Sequence, residues 1–394
     1  MNDFTFFNPV RVLFGSGSFD QIGERVAGIG KHAMLVTGRS AARKSGLLDR
    51  ATGLLEAAGV DVTVFDRIMP NPTDEIVDEG GEMARREGVD VIVALGGGSS
   101  MDAAKGIAIA ATHEAPISEF LRVQDKRTPT EATLPIICAT TTSGTASEVT
   151  PFAVISTVSE TMKSAIANDF IYPRVAIIDP ELTITCPASV TANTGADVLA
   201  HAMEGYFSTA ASPLTDLFAE RAIYLVGRHL PRAVEACGDL QEREQMSFAN
   251  LCAGYVLSNC GASVIHALEH PISAHYPEVA HGAGLATMMA KWAELYWEHD
   301  PYKFGRIAHL LGRGIPGASV EQSAEFAADA ISGLLSRIGL EVSLEDLGVQ
   351  RSEIERMVDD ALSYMGGAVA KTPGDLTRDD LIKLMEASYS SGGS

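Results

Sequence analysis

A chain of 394 residues, 46% apolar and 21% charged, is longer than the roughly 250–300 residues that one hydrophobic core sustains, so two globular domains are expected and a disordered chain is not. Its formal charge of -21 repels phosphate backbones and anionic lipid, which weighs against nucleic-acid and membrane partners. Five cysteines without CxxC spacing suggest neither a disulfide framework nor a thiolate zinc site, and no breaker-free apolar run is long enough to span a bilayer, so a soluble cytoplasmic protein is expected.

The opening stretch, Phe4 to Phe14, carries Pro9 inside it and is expected at a sheet edge or in a hairpin, where a missing N–H is tolerated. Short β-branched runs follow at Ala33–Thr37, Val60–Phe65, Val89–Leu95, Leu134–Ala139 and Val175–Asp179. Between the first of them lie helical patterns at Ala41–Ala58, Thr73–Glu87 and Ser99–Ala111. This alternation predicts a mostly parallel α/β domain over residues 1–183. From residue 184 the texture changes to Ala, Leu, Met and Glu at helical spacing, through Ala192–Phe207, Leu214–His229 and Glu242–Cys260. An all-helical domain over 184–394 is expected, ending in a flexible tail at Ser390–Ser394.

One βα turn of the first domain carries a chemical signal. Residues 89–105 run from a buried strand through Gly96-Gly97-Gly98-Ser99 into a helix. Glycine admits an anion close to the backbone, and the helix N-terminus adds N–H donors and positive dipole, so this loop reads as a pyrophosphate seat. It is not the GxGxxG fingerprint and it follows the third strand, which disfavours a plain Rossmann assignment. A second loop, Thr140 to Glu148, clusters hydroxyls beside Gly144 after the strand Leu134–Ala139. Its place at the carboxyl edge of the sheet suits phosphate and ribose oxygens.

The helical half carries histidines. Asp197 and His201 are one turn apart on one helix face, and His266 and His270 repeat that spacing. His275 and His281 are expected in a loop containing Pro271 and Pro277 and closed by Gly282. The remaining histidines, His32, His113, His229, His299 and His309, read as surface residues. Three imidazoles with one carboxylate suit Fe(II) or Zn(II) and are poor for Ca or Mg. A buried Asp197 also needs a facing cation.

GGGSSMDAAK at 96–105, TTSGTASE at 141–148, GADVLAHAMEGYFS at 195–208 and HALEHPISAHYPEVAHGAG at 266–284 together resemble the iron-containing (group III) alcohol dehydrogenase family across nearly the whole chain. The resemblance implies Asp197, His201, His266 and His281 as metal ligands, with His270 unligated near the nicotinamide. It implies coenzyme contacts at Asn71, Gly97, Gly98, Ser99, Asp102, Thr141, Thr142 and Lys163, and a dehydroquinate synthase-like architecture. Ala146 and Ser143 depart from the family pattern. A longer spacing between His270 and His281 brings His275 into reach as a competing ligand. Gly38 replaces an aspartate common after the second strand. With Arg39 beside it, NADP is expected to be accepted as well as NAD, because no carboxylate repels the 2′-phosphate.

The expected activity is metal-assisted hydride transfer between a small primary alcohol or diol and NAD or NADP, with His270 relaying the proton and Fe(II), or Zn(II), as the ion. Phe152, Leu257 and Ala262 are the candidate substrate-pocket residues. Alternatives are a dehydroquinate synthase-like lyase, a glycerol or sugar-alcohol dehydrogenase of the same fold, and a non-catalytic metal-binding protein. The lyase needs cations for an anionic substrate, yet between 187 and 227 only Arg221 is basic. The exposed edge of the opening strand predicts a homodimer or larger homo-oligomer.

Overall fold

In the computed structural model, which describes residues 3–390, the strand runs of the first half form one six-stranded parallel sheet. The strands are β1 (Arg11–Phe14), β2 (His32–Gly38), β3 (Asp61–Ile68), β4 (Val91–Gly96), β5 (Ile136–Thr140), β6 (Phe152–Thr157), β7 (Met162–Ala167) and β8 (Val175–Ile178). Sheet order is β1-β8-β5-β4-β2-β3. β4 and β5 are apolar on both faces, as buried parallel strands must be. The helices of this half are α1 (Ile22–Ala27), α2 (Ala41–Lys44), α3 (Leu47–Ala57), α4 (Asp74–Glu87) and α5 (Gly98–Ala110). The chain order reverses between β2 and β4, which leaves a crevice outside the carboxyl ends of these two strands, where doubly wound sheets bind ligands.

Chain contacts define one unit from Asn8 to Cys186, and a second that takes the chain up to Phe7 and from Pro187 on. The expected boundary of 183/184 thus falls three residues early, and the first residues change sides. Phe6 explains the change: its ring stacks on Phe218 at 5.9 Å and meets Tyr255 edge-on at 6.2 Å. Phe7 N–H also donates to Asn259 Oδ1 at 2.8 Å.

The second unit is helical: α6 (Ala188–Phe207), α7 (Pro213–Glu235), α8 (Leu240–Cys260), α9 (Val264–His275), α10 (His281–Tyr296), α11 (Pro301–Leu310), α12 (Ala327–Arg337), α13 (Ile354–Tyr364), α14 (Gly366–Val369) and α15 (Arg378–Ala387). Its core gathers Leu199, Met203, Trp292, Phe304 and Leu334, all buried. No single helix among the described residues is long and apolar enough to cross a membrane.

Several expectations change. The opening strand is only Arg11–Phe14, an edge strand paired in parallel with β8 and not part of a hairpin. Gly46, at φ 76°, splits the helix expected over 41–58 into α2 and α3. The antiparallel pair β6–β7 was not expected at all. Pro271 lies inside α9, and His281 opens α10 instead of sitting in a loop. Of the five histidines read as surface residues only His299 is exposed, while His229, for instance, is half-buried against Glu242 at 2.6 Å. The expected tail at Ser390–Ser394 lies, beyond its first residue, outside the described residues.

Candidate active site

In the α/β unit the glycine loop and the hydroxyl loop leave neighbouring strands, since β4 pairs with β5. Thr141 N–H donates to Gly96 O at 3.0 Å. A Cβ on Gly97 would stand 2.8 Å from Thr142 Oγ1, and one on Gly98 2.4 Å from Thr145 Cγ2. The glycines therefore let two loops close into one surface at the N-terminus of α5. Gly96 sits at φ 155° and Gly97 caps the helix without a side chain, so the first N–H groups of α5 have no side-chain cap. Ala146 adopts φ 49°, the left-handed region that favours glycine. That is the local cost of its departure from the family pattern.

Of the expected coenzyme residues, Gly97, Gly98, Ser99, Thr141 and Thr142 cluster on these two loops. Asn71, at φ 53°, precedes α4, and Lys163 is buried on β7. Asp102 is placed differently: it is buried, with Oδ1 accepting from Ser147 Oγ at 2.6 Å and Oδ2 from Val154 N–H at 3.2 Å. One oxygen holds the second loop and the other the start of β6. Next to Asp102 lies fully buried Lys105. Its Nζ donates to Ser147 O and Oγ at 2.7 Å, Thr150 O at 2.9 Å and Phe152 O at 2.7 Å. Lys105 and Asp102 together pin residues 147–154 to α5.

Gly38 ends β2, and a Cβ there would meet only Ile68 O, at 3.7 Å. Exposed Arg39 donates through Nε to Arg67 O at 3.4 Å. Arg43 is paired with Asp66 at 2.6 Å, which holds that carboxyl below its ordinary range.

In the helical unit, α6 presents Asp197 and His201 one turn apart, α9 presents His266, and α10 begins with His281. All three imidazoles converge on Asp197 Oδ1: His266 Nε2 at 3.3 Å, His201 Nδ1 at 3.4 Å and His281 Nε2 at 3.9 Å. Asp197, His201 and His266 offer ligand atoms within 4.8 Å of one another. Bonds of about 2.1 Å place two ligands of a tetrahedral ion about 3.4 Å apart, so the spacing fits a transition metal. His201 Nδ1 is buried and makes no hydrogen bond among the described residues. Such an atom needs a partner, and a cation is one that this donor set accepts.

Two carboxylates complete the site. Fully buried Glu204 contacts His266 Nδ1, and fully buried Glu269 contacts His281 Nδ1. Glu204 fixes the His266 ring so that Nε2 faces Asp197, the carboxylate–histidine arrangement that orients metal ligands, while Glu269 stands against the His281 ring. Glu204 also accepts from Ile265 N–H at 2.6 Å, Ser263 Oγ at 3.1 Å and His266 N–H at 3.3 Å, capping the start of α9. Charge follows this geometry. Burial pushes His201 down to about 4. Burial also works against charge on His266, but Glu204 and Asp197 outweigh it and hold that ring up at about 10. Asp197 stays well below the carboxylate range because its imidazole neighbours overcome the burial that would raise it.

His270, one turn after His266, is buried with its ring 5.9 Å from that of His281. His275 is drawn away, its Nε2 2.8 Å from Asp360 Oδ2, so it does not compete with His281. Leu257 is buried near the end of α8, Ala262 lies in the bend after it, and Phe152 opens β6 of the other unit. Glu204 and Glu269 were missed by sequence reasoning, although each lies three residues after a histidine of the cluster on its helix.

Comparison with known proteins accords with this picture. Residues 9–180 match the family model described as iron-containing alcohol dehydrogenase, and residues 191–389 match the C-terminal model of the Fe-containing alcohol dehydrogenase family. The chain is 39% identical to a 1,3-propanediol dehydrogenase of Klebsiella pneumoniae, covering 91% of this chain and 92% of that protein. It is 33% identical to an NAD-dependent methanol dehydrogenase of Bacillus methanolicus, over 97% and 98% of the two chains. Its fold superposes on an archaeal halo-thermophilic alcohol dehydrogenase from a Red Sea brine pool with a TM-score of 0.94, at 39% identity, covering 98% of this chain and 100% of that one.

Proposed function

Because the chain belongs to the iron-containing alcohol dehydrogenase family, and is an NAD-dependent alcohol dehydrogenase and aldehyde reductase of that family, we propose that Asp197, His201, His266 and His281 hold its metal ion and that small primary alcohols or diols are its substrates. The observation that carries the reading is the meeting of three imidazoles on one oxygen of Asp197. When bound, the ion supplies a Lewis acid to the alcohol or carbonyl oxygen, and the nicotinamide supplies the hydride acceptor or donor. The residues do the rest. Glu204 keeps His266 in the ligating tautomer, and Glu269 places a carboxylate beside the His281 ring. His270, outside the ligand set, takes up and passes on the alcohol proton.

The first turn of α5 with Gly97, Gly98 and Ser99 receives the pyrophosphate, and Thr141 and Thr142 bind it from the adjoining loop. Asn71 and Lys163 bind the nucleoside portions. Asp102 acts through Ser147. Gly38 and Arg39 admit NADP(H) comparably with NAD(H), with Arg39 left as the cation for the 2′-phosphate because Arg43 is taken by Asp66. Leu257 and Ala262 are the substrate-wall candidates of the helical unit and Phe152 that of the α/β unit, and the name of the propanediol dehydrogenase relative supports a small diol. The exposed edge of β1 supports a homo-oligomer built by strand addition, and five free cysteines support a reducing cytoplasm. A monomer by light scattering at micromolar concentration removes the assembly reading.

The test is nicotinamide absorbance with C2 to C8 alcohols, diols and aldehydes, using both coenzymes and protein loaded with iron or zinc. Turnover that disappears on chelation is expected. Full turnover by metal-free protein would refute the metal reading.

A further inference from the structure

Lys371 lies half-buried in the helical unit, yet among the described residues its Nζ makes neither a hydrogen bond nor an ion pair. Lysines in that position ordinarily reach water or a carboxylate, and a chain with 51 acidic residues offers many. Here the backbone holds the side chain in place. Lys371 O accepts from Thr209 N–H at 2.8 Å, and the buried Thr372 next to it accepts from Val264 N–H through Oγ1 at 3.2 Å.

Nζ itself rests over Gly261, the residue that closes α8 at φ 72°, where a Cβ would stand 2.0 Å from it. A side chain at 261 would displace the ammonium, so the glycine makes room for it. The carboxyl end of α8 supplies partial negative charge, which explains how the cation is tolerated without a counter-ion. Cys260 supplies none: its thiol is buried, donates to Ala210 O at 3.7 Å and has its pKa raised by burial.

The segment that carries this ammonium is tied to the start of the helix that bears His266. Val264, whose N–H is held by Thr372, is the first residue of α9, and His266 is the third. Five residue steps separate Gly261 from His266, and at most about 3.6 Å per step keeps their Cα atoms within about 18 Å. A charged group left without a partner so near a reaction centre is a ready anchor for the far end of a substrate. Its three N–H donors match a carboxylate through charge-assisted hydrogen bonds.

We propose that Lys371 is a specificity residue that binds the carboxylate of substrates whose other end carries the alcohol or aldehyde, so that ω-hydroxy acids and their semialdehydes are turned over in preference to plain alcohols. The inference rests on the dehydrogenase reading above for turnover, and on Lys371 alone for binding. The reaction is unchanged: the alcohol is oxidised to the aldehyde as NAD+ takes the hydride and one proton is released.

The experiment has two readouts on metal-loaded wild type, Lys371→Met and Lys371→Arg, each first checked for an unchanged far-ultraviolet spectrum. Calorimetric titration with butyrate is expected to show binding that weakens at least tenfold in Lys371→Met and stays within threefold in Lys371→Arg. The ratio of kcat/KM for 4-hydroxybutyrate to that for 1-butanol is expected to fall at least tenfold in the methionine variant and to recover in the arginine one. Equal butyrate affinity in wild type and Lys371→Met, or no butyrate binding by wild type, overturns the proposal. Loss of every alcohol turnover in wild type would instead refute the dehydrogenase reading, while the butyrate comparison still decides the role of Lys371.

Discussion

Glu204→Gln tests the metal centre through a residue that does not ligate. The substitution keeps shape and volume but replaces one acceptor oxygen with an NH2 group. Glu204 is fully buried and serves four donors: Ser263 Oγ, Ile265 N–H, His266 N–H and the His266 ring at Nδ1. A glutamine can satisfy the backbone donors with its remaining oxygen, but its NH2 then faces Nδ1 and forces the proton to Nε2. That nitrogen is the one aimed at Asp197, 3.3 Å away. Losing such an orienting partner lowers metal affinity by about 10- to 100-fold, or roughly 1.4–2.8 kcal/mol. Glu204→Ala costs more, because each buried donor left without an acceptor adds about 1–3 kcal/mol to the loss of stability. Competition against a chromophoric chelator measures the affinity and calorimetry the melting. A Glu204→Gln protein that binds iron or zinc as tightly as wild type would refute the tautomer argument, whatever its melting temperature.

His201→Ala should lose bound metal at least tenfold and all measurable turnover while keeping its helical spectrum, read by elemental analysis and circular dichroism; full activity would sink the ligand assignment. His270→Ala should keep its metal and lose rate by roughly 10²- to 10⁴-fold, the range for a positioned proton carrier, and a loss of metal as complete as in His266→Ala would make it a ligand instead. Lys105→Met removes the donor to residues 147, 150 and 152 and leaves buried acceptors unpaired, at about 1–3 kcal/mol each; NADH titration by fluorescence well below the melting temperature should show weaker binding, and an unchanged Kd would confine Lys105 to stability. Gly38→Asp fits the space present, since only Ile68 O lies near the new Cβ, and should shift kcat/KM toward NAD; strict NAD use by wild type, unchanged in Arg39→Ala, would show that this loop does not read the 2′ position.

What the sequence made legible has a physical pattern. The buried strands β4 and β5 and the glycine loop could be read because parallel strands buried on both faces are continuous apolar runs and because three successive glycines exceed what a turn requires. The i, i+4 pairs Asp197/His201 and His266/His270 could be read because helical phase is local. Pairings across the chain could not. In sequence His275 has the appearance of a rival ligand, but Asp360, 85 residues away, holds it. Glu204 and Glu269 have the same sequence appearance as solvated helix carboxylates, and only their burial separates them. The β6–β7 hairpin turns through Val158–Glu160 and Thr161 at φ 49°, with no Asn-Gly or Asp-Gly signal of the kind that marks a two-residue turn. Pro271 suggested a break, yet α9 runs through it.

The helices proposed to carry the ligands, α6, α9 and α10, are separated in sequence, His266 lying 69 residues beyond Asp197. An ion shared among them is a cross-link in the polymer sense: it ties distant points of the chain into loops, and it does so only in the native state. By mass action such a link adds about 2.7 kcal/mol of stability when free metal stands at 100 times its Kd. Unfolding and metal release then become one coupled transition, so the melting temperature of this enzyme reports how well it is supplied with metal as much as how well its sequence packs. Cells starved of the metal would be expected to lose the protein itself, through unfolding and proteolysis, along with its activity.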